Sequence, residues 1–186
     1  MNIKTITVVG ADGTVGRVIS GIFASFGNAK VYMVGLSKEK LQMAKKEAAL
    51  SVKATTIEDK LQIASMDELE KCVNASDLVF ESVVENLDIK KEIHRRINNS
   101  ASENCIMATG TSGLSIDELS ECYDERKKVN FYGIHFFNPP YSLTLCELIP
   151  SKYNWNNSND IIKIKTYLII FFSIFIDIVN NCFMDI

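Results

Sequence analysis

Short apolar runs alternate along the chain with longer segments whose apolar residues recur at helical spacing. Residues 3–9 are a β-branched run that ends at Gly10, and such a run is typical of a strand buried on both faces. The following apolar positions are spaced i, i+3, i+4, i+7, i+8 and i+11, namely Val15, Val18, Ile19, Ile22, Phe23 and Phe26. This spacing predicts one face of an amphipathic helix, which Gly27 would end.

The same alternation continues to about residue 149. Further strands are predicted at residues 30–34, 61–64, 78–84, 105–109, 131–135 and 145–149. Helices are predicted at residues 38–49, 66–73 and 88–97 and after residue 115, with a polar connection at residues 55–60. Two helices follow a capping box, Ser65 with Glu68 and Ser115 with Glu118. The alternation indicates an α/β domain over residues 1–150, with a mostly parallel sheet and helices on both faces.

Residues 151–186 form a tail with a different pattern. Residues 151–159 are polar and rich in Asn, whereas residues 167–176 are almost entirely apolar. This apolar run is too short to span a bilayer, and Asp177 follows it, so we expect no membrane segment. We expect the tail to supply the last helix of the same domain and a last strand near residues 176–179.

The composition narrows the class of protein. The chain has 186 residues, 47% of them apolar and 23% charged, which is typical of a folded globular protein and excludes a disordered one. The net charge of −3 argues against a nucleic-acid partner, because phosphate binding needs an excess of Lys and Arg. The five scattered cysteines form no C-x-x-C pair, which predicts free thiols in a reducing compartment and no metal site. Because the N-terminus carries no targeting signal, we expect a cytoplasmic protein.

A glycine-rich loop joins the first strand to the first helix. Its sequence, Gly10-Ala11-Asp12-Gly13-Thr14-Val15-Gly16, is one residue longer than the common G-x-G-x-x-G spacing. Small residues let the backbone approach a pyrophosphate, and the amides of the helix N-terminus face the anion. The loop therefore predicts dinucleotide binding by Gly10, Gly13, Thr14, Val15 and Gly16, with a plain strand–helix turn as the alternative. Asp12 would repel the pyrophosphate unless its side chain points away.

The acidic residue that usually binds the adenosine ribose is missing from its usual place. Dinucleotide-binding folds carry this residue at the end of the second strand, about 20 residues past the loop. Gly35 stands there, followed by Leu36-Ser37-Lys38-Glu39. Either Glu39 or the backbone serves NAD, or Ser37 and Lys38 accept the 2′-phosphate of NADP. NAD is the favoured cofactor, and NADP stays open.

Three motifs, in order along the chain, resemble a known family. They are Glu81-Ser82-Val83-Val84-Glu85-Asn86-Leu87, Ala108-Thr109-Gly110-Thr111-Ser112-Gly113-Leu114, and Gly133-Ile134-His135-Phe136-Phe137-Asn138-Pro139-Pro140 with Glu147 twelve residues after the histidine. They resemble the NAD-binding domain of L-3-hydroxyacyl-CoA dehydrogenases, over about residues 3–150. The resemblance implies a Rossmann-like, doubly wound fold. It also implies hydride transfer between the 3-hydroxy group of an acyl-CoA substrate and a nicotinamide cofactor.

The resemblance implies roles for individual residues as well. His135 matches the catalytic base, Glu147 the carboxylate that orients it, and Ser112 the serine that binds the substrate oxygen. The cofactor-contacting positions are matched by Glu85, Lys90, Asn138 and the loop glycines. The chemistry agrees, because oxidising a secondary alcohol needs a base for the hydroxyl proton, and a His with a carboxylate partner suits that task.

Each of these residues also has a purely structural interpretation. A His at a strand end is often structural, and Ser112 lies in a Ser/Thr/Gly loop where turn chemistry would explain it. Lys90 would then lie on a solvated helix face, and Glu85 and Asn86 would cap the helix that follows them. His94, beside two arginines, is expected to be an exposed helix residue without a role.

The chain departs from the family pattern in several places. Gly110 stands where the family usually has Asn, the ribose Asp is absent, and the glycine loop is longer. In the family an all-helical domain follows, which forms the homodimer and completes the acyl-CoA cleft. Since this chain ends at Ile186, we expect a truncated copy, a fragment or a stand-alone nucleotide-binding module, without the family's dimer.

Three functions therefore remain open from the sequence. The first is an enzyme that oxidises a 3-hydroxyacyl-CoA. The second is a module that binds a dinucleotide without turnover. The third is a different β-hydroxyacid dehydrogenase or a nucleotide sensor with the same fold, and dependence on an acyl-CoA distinguishes it from the first.

Overall fold

The computed structural model describes residues 3–137, 140, 145–154 and 173–175. The strands of this part are β1 (Thr5–Val9), β2 (Lys30–Gly35), β3 (Leu61–Ser65), β4 (Leu78–Glu81), β5 (Ile106–Thr109), β6 (Phe131–Phe136), β7 (Leu145–Pro150) and β8 (Ser173–Phe175). The α-helices are α1 (Thr14–Ser25), α2 (Lys38–Ser51), α3 (Leu69–Asn74), α4 (Leu87–Ser100), α5 (Ile116–Ser120) and α6 (Glu125–Lys128). Short 3₁₀ helices span Thr55–Lys60 and Met66–Glu68.

All the described strands belong to one sheet, in the order β3-β2-β1-β4-β5-β6-β7-β8. Neighbours from β3 through β6 are parallel, β7 is antiparallel to β6, and β8 is parallel to β7. The order 3-2-1-4-5-6 is that of the doubly wound dinucleotide-binding fold, in which ligands bind at the carboxyl ends of the strands. The prediction of a Rossmann-like, mostly parallel sheet is confirmed.

Two hydrophobic cores cover the two faces of the sheet. One core packs α1 and α2 against the sheet, for example Phe23 and Leu41 with Phe80. The other packs α3, α4 and α5, for example Ile97 with Val79. Val79 and Phe80 are neighbours on β4 but enter different cores, because successive side chains of a strand point to opposite faces. The apolar run of β4 is therefore a strand buried on both sides.

Local hydrogen bonds explain where several elements begin. The predicted capping box at Ser65 and Glu68 forms in both directions. At α5 the Ser115 side chain accepts from the backbone N–H of Glu118, while the Glu118 carboxylate accepts from Lys91. Asn86 caps α4 by accepting from the backbone N–H of Ile89 at 3.1 Å, as one interpretation of the sequence predicted.

The structure differs from the predicted elements in three places. Strand β4 ends at Glu81 and not at residue 84, because the backbone N–H of Val83 donates to the Glu81 carboxylate. Residues 55–60 form a 3₁₀ helix where a polar connection was expected. Helix α6 was not predicted, because a single turn leaves no helical period in the sequence.

Part of the tail adds to the sheet. Strand β8 (Ser173–Phe175) pairs with β7, while the last strand predicted near residues 176–179 lies outside the described residues. Among the helices of the described part, none combines the length and the hydropathy needed to cross a membrane.

Candidate active site

The glycine loop folds against the ends of β2 and β4. The backbone N–H groups of Gly10 and Ala11 both donate to the carbonyl oxygen of Val34, at 2.9 and 3.0 Å. Gly10 has a φ of +81°, and a Cβ added there would lie 2.5 Å from the carbonyl oxygen of Ser82. A Cβ on Gly16 would lie 2.4 Å from the carbonyl oxygen of Gly10. Both positions therefore require glycine, one for its backbone conformation and one for the close packing of α1 on the loop.

The first turn of α1 suits an anion. Gly13 is the N-cap of this helix; no described side chain caps it, and its first turn contains no acidic residue. Gly13, Thr14 and Val15 are exposed, and the first amides of a helix have no intrahelical partner. Asp12 does not point into this turn, since its carboxylate accepts from the backbone N–H of Leu36 at the end of β2. The residues present therefore fit the pyrophosphate of a dinucleotide.

We expect Gly16→Ala to weaken the binding of NADH about tenfold or more. A methyl group forced against the Gly10 carbonyl costs roughly 1–3 kcal/mol and displaces the loop from its binding conformation. Gly113→Ala is the matched control, because a Cβ at Gly113 meets nothing within 4 Å. Fluorescence titration with NADH measures both variants. Equal affinities for the two would contradict a role of the loop in binding.

His135 and Glu147 form the pair that the sequence predicted. They are register partners on the antiparallel strands β6 and β7, so their side chains lie on the same face of the sheet. His135 Nδ1 lies 2.9 Å from Glu147 Oε2, and both side chains are about one quarter exposed. The Nε2 atom of His135 has no hydrogen-bond partner among the described residues. The pair thus holds one ring nitrogen and leaves the other free to exchange a proton.

The loop after β5 carries Ser112. Its backbone N–H donates to Glu85 Oε1 at 3.0 Å, and the Gly113 N–H donates to the same oxygen at 3.3 Å. Thr111 donates its hydroxyl to Glu85 as well. Ser112 is exposed, and within the described part of the chain its hydroxyl has no partner. The hydroxyl is therefore available to a ligand.

Glu85 fixes the position of this loop. It does not cap α4, because Asn86 does. Burial acts to raise the pKa of Glu85, but the hydrogen bonds from Thr111 and Ser112, together with the charge of Lys90, outweigh it and lower the pKa. Glu85 therefore remains ionised near neutral pH and keeps the loop in place.

Lys90 and His94 are both buried beneath the site, one turn apart on α4. Lys90 is 1% exposed, so the interpretation as a solvated helix face is wrong. Its Nζ donates to Glu81 Oε1 at 2.7 Å and lies 3.4 Å from Glu85 Oε2. The expectation that His94 is exposed is also wrong: it is fully buried, and its Nδ1 shares a 2.7 Å hydrogen bond with Tyr123.

Glu81 is the centre of this buried cluster, and no role was predicted for it from the sequence. Its carboxylate contacts Lys90, accepts from Thr109 at 2.7 Å, and lies 3.2 Å from His94 Nε2 in a direction that makes no hydrogen bond. Burial acts to raise the pKa of Glu81, but His94 and Lys90 outweigh it and lower the pKa to about 2. The signal in the sequence was a Glu at the end of an apolar strand with two basic residues at i, i+4 on the next helix.

The predicted site residues of the described part lie at the end of the sheet where the parallel strands have their carboxyl ends. Glu81 pairs in register with Thr109, and Thr109 with Gly133, so the carboxyl ends of β4, β5 and β6 are aligned. His135 follows two residues past this row, and the loop that carries Ser112 follows Thr109. Asn138 lies outside the described residues.

Comparison with known proteins places this arrangement in a family. The family profile described as "3-hydroxyacyl-CoA dehydrogenase, NAD binding domain" matches residues 5–163. The human protein named "Hydroxyacyl-coenzyme A dehydrogenase, mitochondrial" is 32% identical over 161 residues, which cover 79% of this chain and 50% of that protein. A probable 3-hydroxyacyl-CoA dehydrogenase of Bacillus subtilis is 39% identical over 100 residues, covering 54% of this chain and 12% of that protein.

A solved structure has the same fold. The (S)-3-hydroxybutyryl-CoA dehydrogenase of Ralstonia eutropha superposes with a TM-score of 0.80 and 26% sequence identity, covering 94% of this chain and 63% of that one. The chain thus spans about half the length of the human relative and less than two thirds of the Ralstonia enzyme. The profile match covers most of the residues, so the chain belongs to the family of the NAD-binding domain of 3-hydroxyacyl-CoA dehydrogenases.

Proposed function

We propose that the chain provides the NAD-binding and proton-transferring part of a 3-hydroxyacyl-CoA dehydrogenase. The reaction is the reversible oxidation of the 3-hydroxy group of an acyl-CoA to a 3-oxo group. The observation that carries the proposal is the His135–Glu147 pair, 2.9 Å apart at the carboxyl edge of a sheet that also bears the glycine loop. A base beside the nucleotide-binding edge is what the oxidation of a bound alcohol requires.

The cofactor is NAD, held by the glycine loop. The amides at the start of α1 bind the pyrophosphate, and Gly10 and Gly16 leave it room. Glu85, Lys90 and Asn138 complete the proposed cofactor site, with Lys90 acting as a positioning residue because its ammonium group contacts Glu81 and Glu85. When bound, the nicotinamide supplies the acceptor or donor of hydride.

The proton passes through His135. Its free Nε2 takes the proton of the substrate hydroxyl in the oxidation and returns it in the reduction. Glu147 fixes the orientation of the ring through Nδ1 and stabilises the imidazolium that forms. The Ser112 hydroxyl donates to the substrate oxygen and orients it toward His135.

The cofactor domain comprises residues 1–150, and strand β8 of the tail extends its sheet by pairing with β7. The protein is cytoplasmic, which agrees with the four free cysteines of the described part, Cys72, Cys105, Cys122 and Cys146. Its substrate is an acyl-CoA, which places the reaction in fatty acid metabolism.

Binding and turnover test the proposal separately. Titration of the purified protein with NADH, followed by fluorescence, is expected to saturate. Oxidation of NADH on addition of acetoacetyl-CoA is expected to exceed the rate without acyl-CoA. Saturable binding without turnover would reject the dehydrogenase function and leave a dinucleotide-binding module. Turnover that does not depend on acyl-CoA would indicate a different substrate.

A further inference from the structure

The end of β2 lacks the side chain that binds the adenosine ribose in dinucleotide-binding folds. That side chain is an Asp or Glu whose carboxylate accepts from the 2′-hydroxyl. The last residue of β2 is Gly35, which has no side chain to offer. The other acid near this strand end, Glu39, lies in the first turn of α2, where the Ser37 hydroxyl donates to its Oε2 atom at 2.8 Å. Ser37 is itself the N-cap of α2 and accepts from the Lys40 N–H.

The carboxylate of Asp12 fills the space that a side chain at position 35 would occupy. A Cβ added to Gly35 would lie 2.6 Å from both Cγ and Oδ1 of Asp12. The backbone N–H of Leu36 donates to Asp12 Oδ2 at 3.1 Å, which anchors the carboxylate to the first residue after β2. The Gly10 and Ala11 amides, bound to the Val34 carbonyl, hold the backbone of the loop at the same strand end.

One oxygen of this carboxylate remains available. Asp12 Oδ2 is bound to Leu36, whereas Oδ1 has no partner among the described residues. No Lys or Arg in the described part of the chain forms an ion pair with Asp12. Asp12 is only partly buried, and Leu36 beside it is 87% exposed, so a ligand can reach the carboxylate. The extra residue of the loop thus brings a negative charge to the end of β2.

We propose that Asp12 is the ribose-binding residue of this chain and that it selects NAD over NADP. The free oxygen accepts from the 2′-hydroxyl of NAD, as a carboxylate on the strand does in other dinucleotide-binding folds. The same charge repels the 2′-phosphate of NADP, since no Lys or Arg among the described residues forms an ion pair with it. This explains two departures from the usual dinucleotide-binding pattern together: the strand lacks its carboxylate, and the additional residue of the loop supplies one in its place. The inference rests on the dinucleotide binding of the proposed function and not on turnover.

The test compares the affinities for NADH and NADPH by fluorescence titration. We expect the wild-type protein to prefer NADH. Asp12→Asn removes the charge but keeps an acceptor for Leu36, and we expect it to weaken NADH binding about tenfold or more, because a hydrogen bond to a charged group is lost. NADPH binding is expected to be unchanged or tighter. Asp59→Asn, the same change at an exposed position on the Thr55–Lys60 helix, is the matched control and is expected to change neither affinity.

A second variant moves the carboxylate back to the strand. Asp12→Gly combined with Gly35→Asp frees the space at position 35 and fills it with an acid, so the preference for NADH is expected to return to within a few-fold of wild type. Melting temperatures show that each variant is folded. If Asp12→Asn behaves like Asp59→Asn, or if Glu39→Gln causes the loss instead, the inference is wrong while the proposed function stands. If the wild-type protein binds neither cofactor, both are wrong.

Discussion

His135→Gln is expected to reduce the rate of acetoacetyl-CoA reduction by about 10²–10⁴-fold, the usual contribution of a positioned acid or base. Gln keeps a polar side chain at this site but cannot exchange a proton near neutral pH. Among the described residues, the one side-chain hydrogen bond of the His135 ring is that of Nδ1 with Glu147, so the substitution removes the group proposed to act through Nε2. The rate is measured with saturating NADH, and the Kd of NADH is expected to stay unchanged because the glycine loop is not altered.

The neighbouring carboxylate provides an internal comparison. Glu147→Gln still offers an acceptor to His135 Nδ1 but no longer stabilises the imidazolium, so a smaller loss of rate is expected. Glu118→Gln is the control, because this carboxylate on α5 binds Lys91 and is half exposed. If His135→Gln retains the wild-type rate, or if its loss comes entirely from weaker NADH binding, His135 is not the base.

The fold was predictable because the relevant signals are local. Each buried strand is a short apolar run, and α1 shows its buried face at helical spacing. The pairing of β6 with β7 brings His135 and Glu147 together, as the match of these two residues to the family's base and its orienting carboxylate implied. At Gly10 and Gly16 a Cβ would clash with the backbone. Such glycines can be recognised in the sequence because they lie between a predicted strand and a predicted helix.

The rest of the site could not be predicted because it depends on contacts between distant parts of the chain. His94 lies beside two arginines in the sequence, which suggests an exposed face, yet Tyr123, 29 residues away, binds it in the core. The sequence predicts that Asp12 repels the pyrophosphate unless its side chain points away, and its carboxylate does turn away, to the backbone N–H of Leu36, 24 residues along the chain. The pattern of apolar and polar residues does not determine where a single side chain in a loop points.

We expect Glu81→Gln to destabilise the protein more than any exposed charge substitution. The carboxylate of Glu81 and the ammonium group of Lys90 are both almost completely buried, 2.7 Å apart. Without the Glu81 carboxylate, the buried ammonium group of Lys90 keeps only the half-exposed Glu85, 3.4 Å away, so we expect a cost at the lower end of the about 3–5 kcal/mol that breaking a buried pair costs. A loss of about 3 kcal/mol corresponds to a fall in Tm of roughly 6–12 °C for a chain of this size. Thermal unfolding followed by circular dichroism measures it.

Two comparisons separate the buried charge from other effects of the substitution. Glu103→Gln breaks an exposed pair with Arg126, and such pairs contribute only about 0–1 kcal/mol, so its Tm should stay near wild type. The double variant Glu81→Gln/Lys90→Met removes both charges, and we expect it to recover part of the stability that the single variant loses. A single variant no less stable than Glu103→Gln would contradict the argument.

The pH dependence of stability tests the same carboxylate in a second way. The folded protein lowers the pKa of Glu81 from 4.5 to about 2, where His94 and Lys90 outweigh the opposing effect of burial. Because the folded pKa lies below the unfolded one, the ionised carboxylate contributes stability above pH 4.5, and this contribution is lost as the pH falls toward 2. The difference in Tm between wild type and Glu81→Gln should therefore shrink over that range. A difference that stays constant from neutral pH to pH 2 would mean that the lost stability comes from packing and not from the charge.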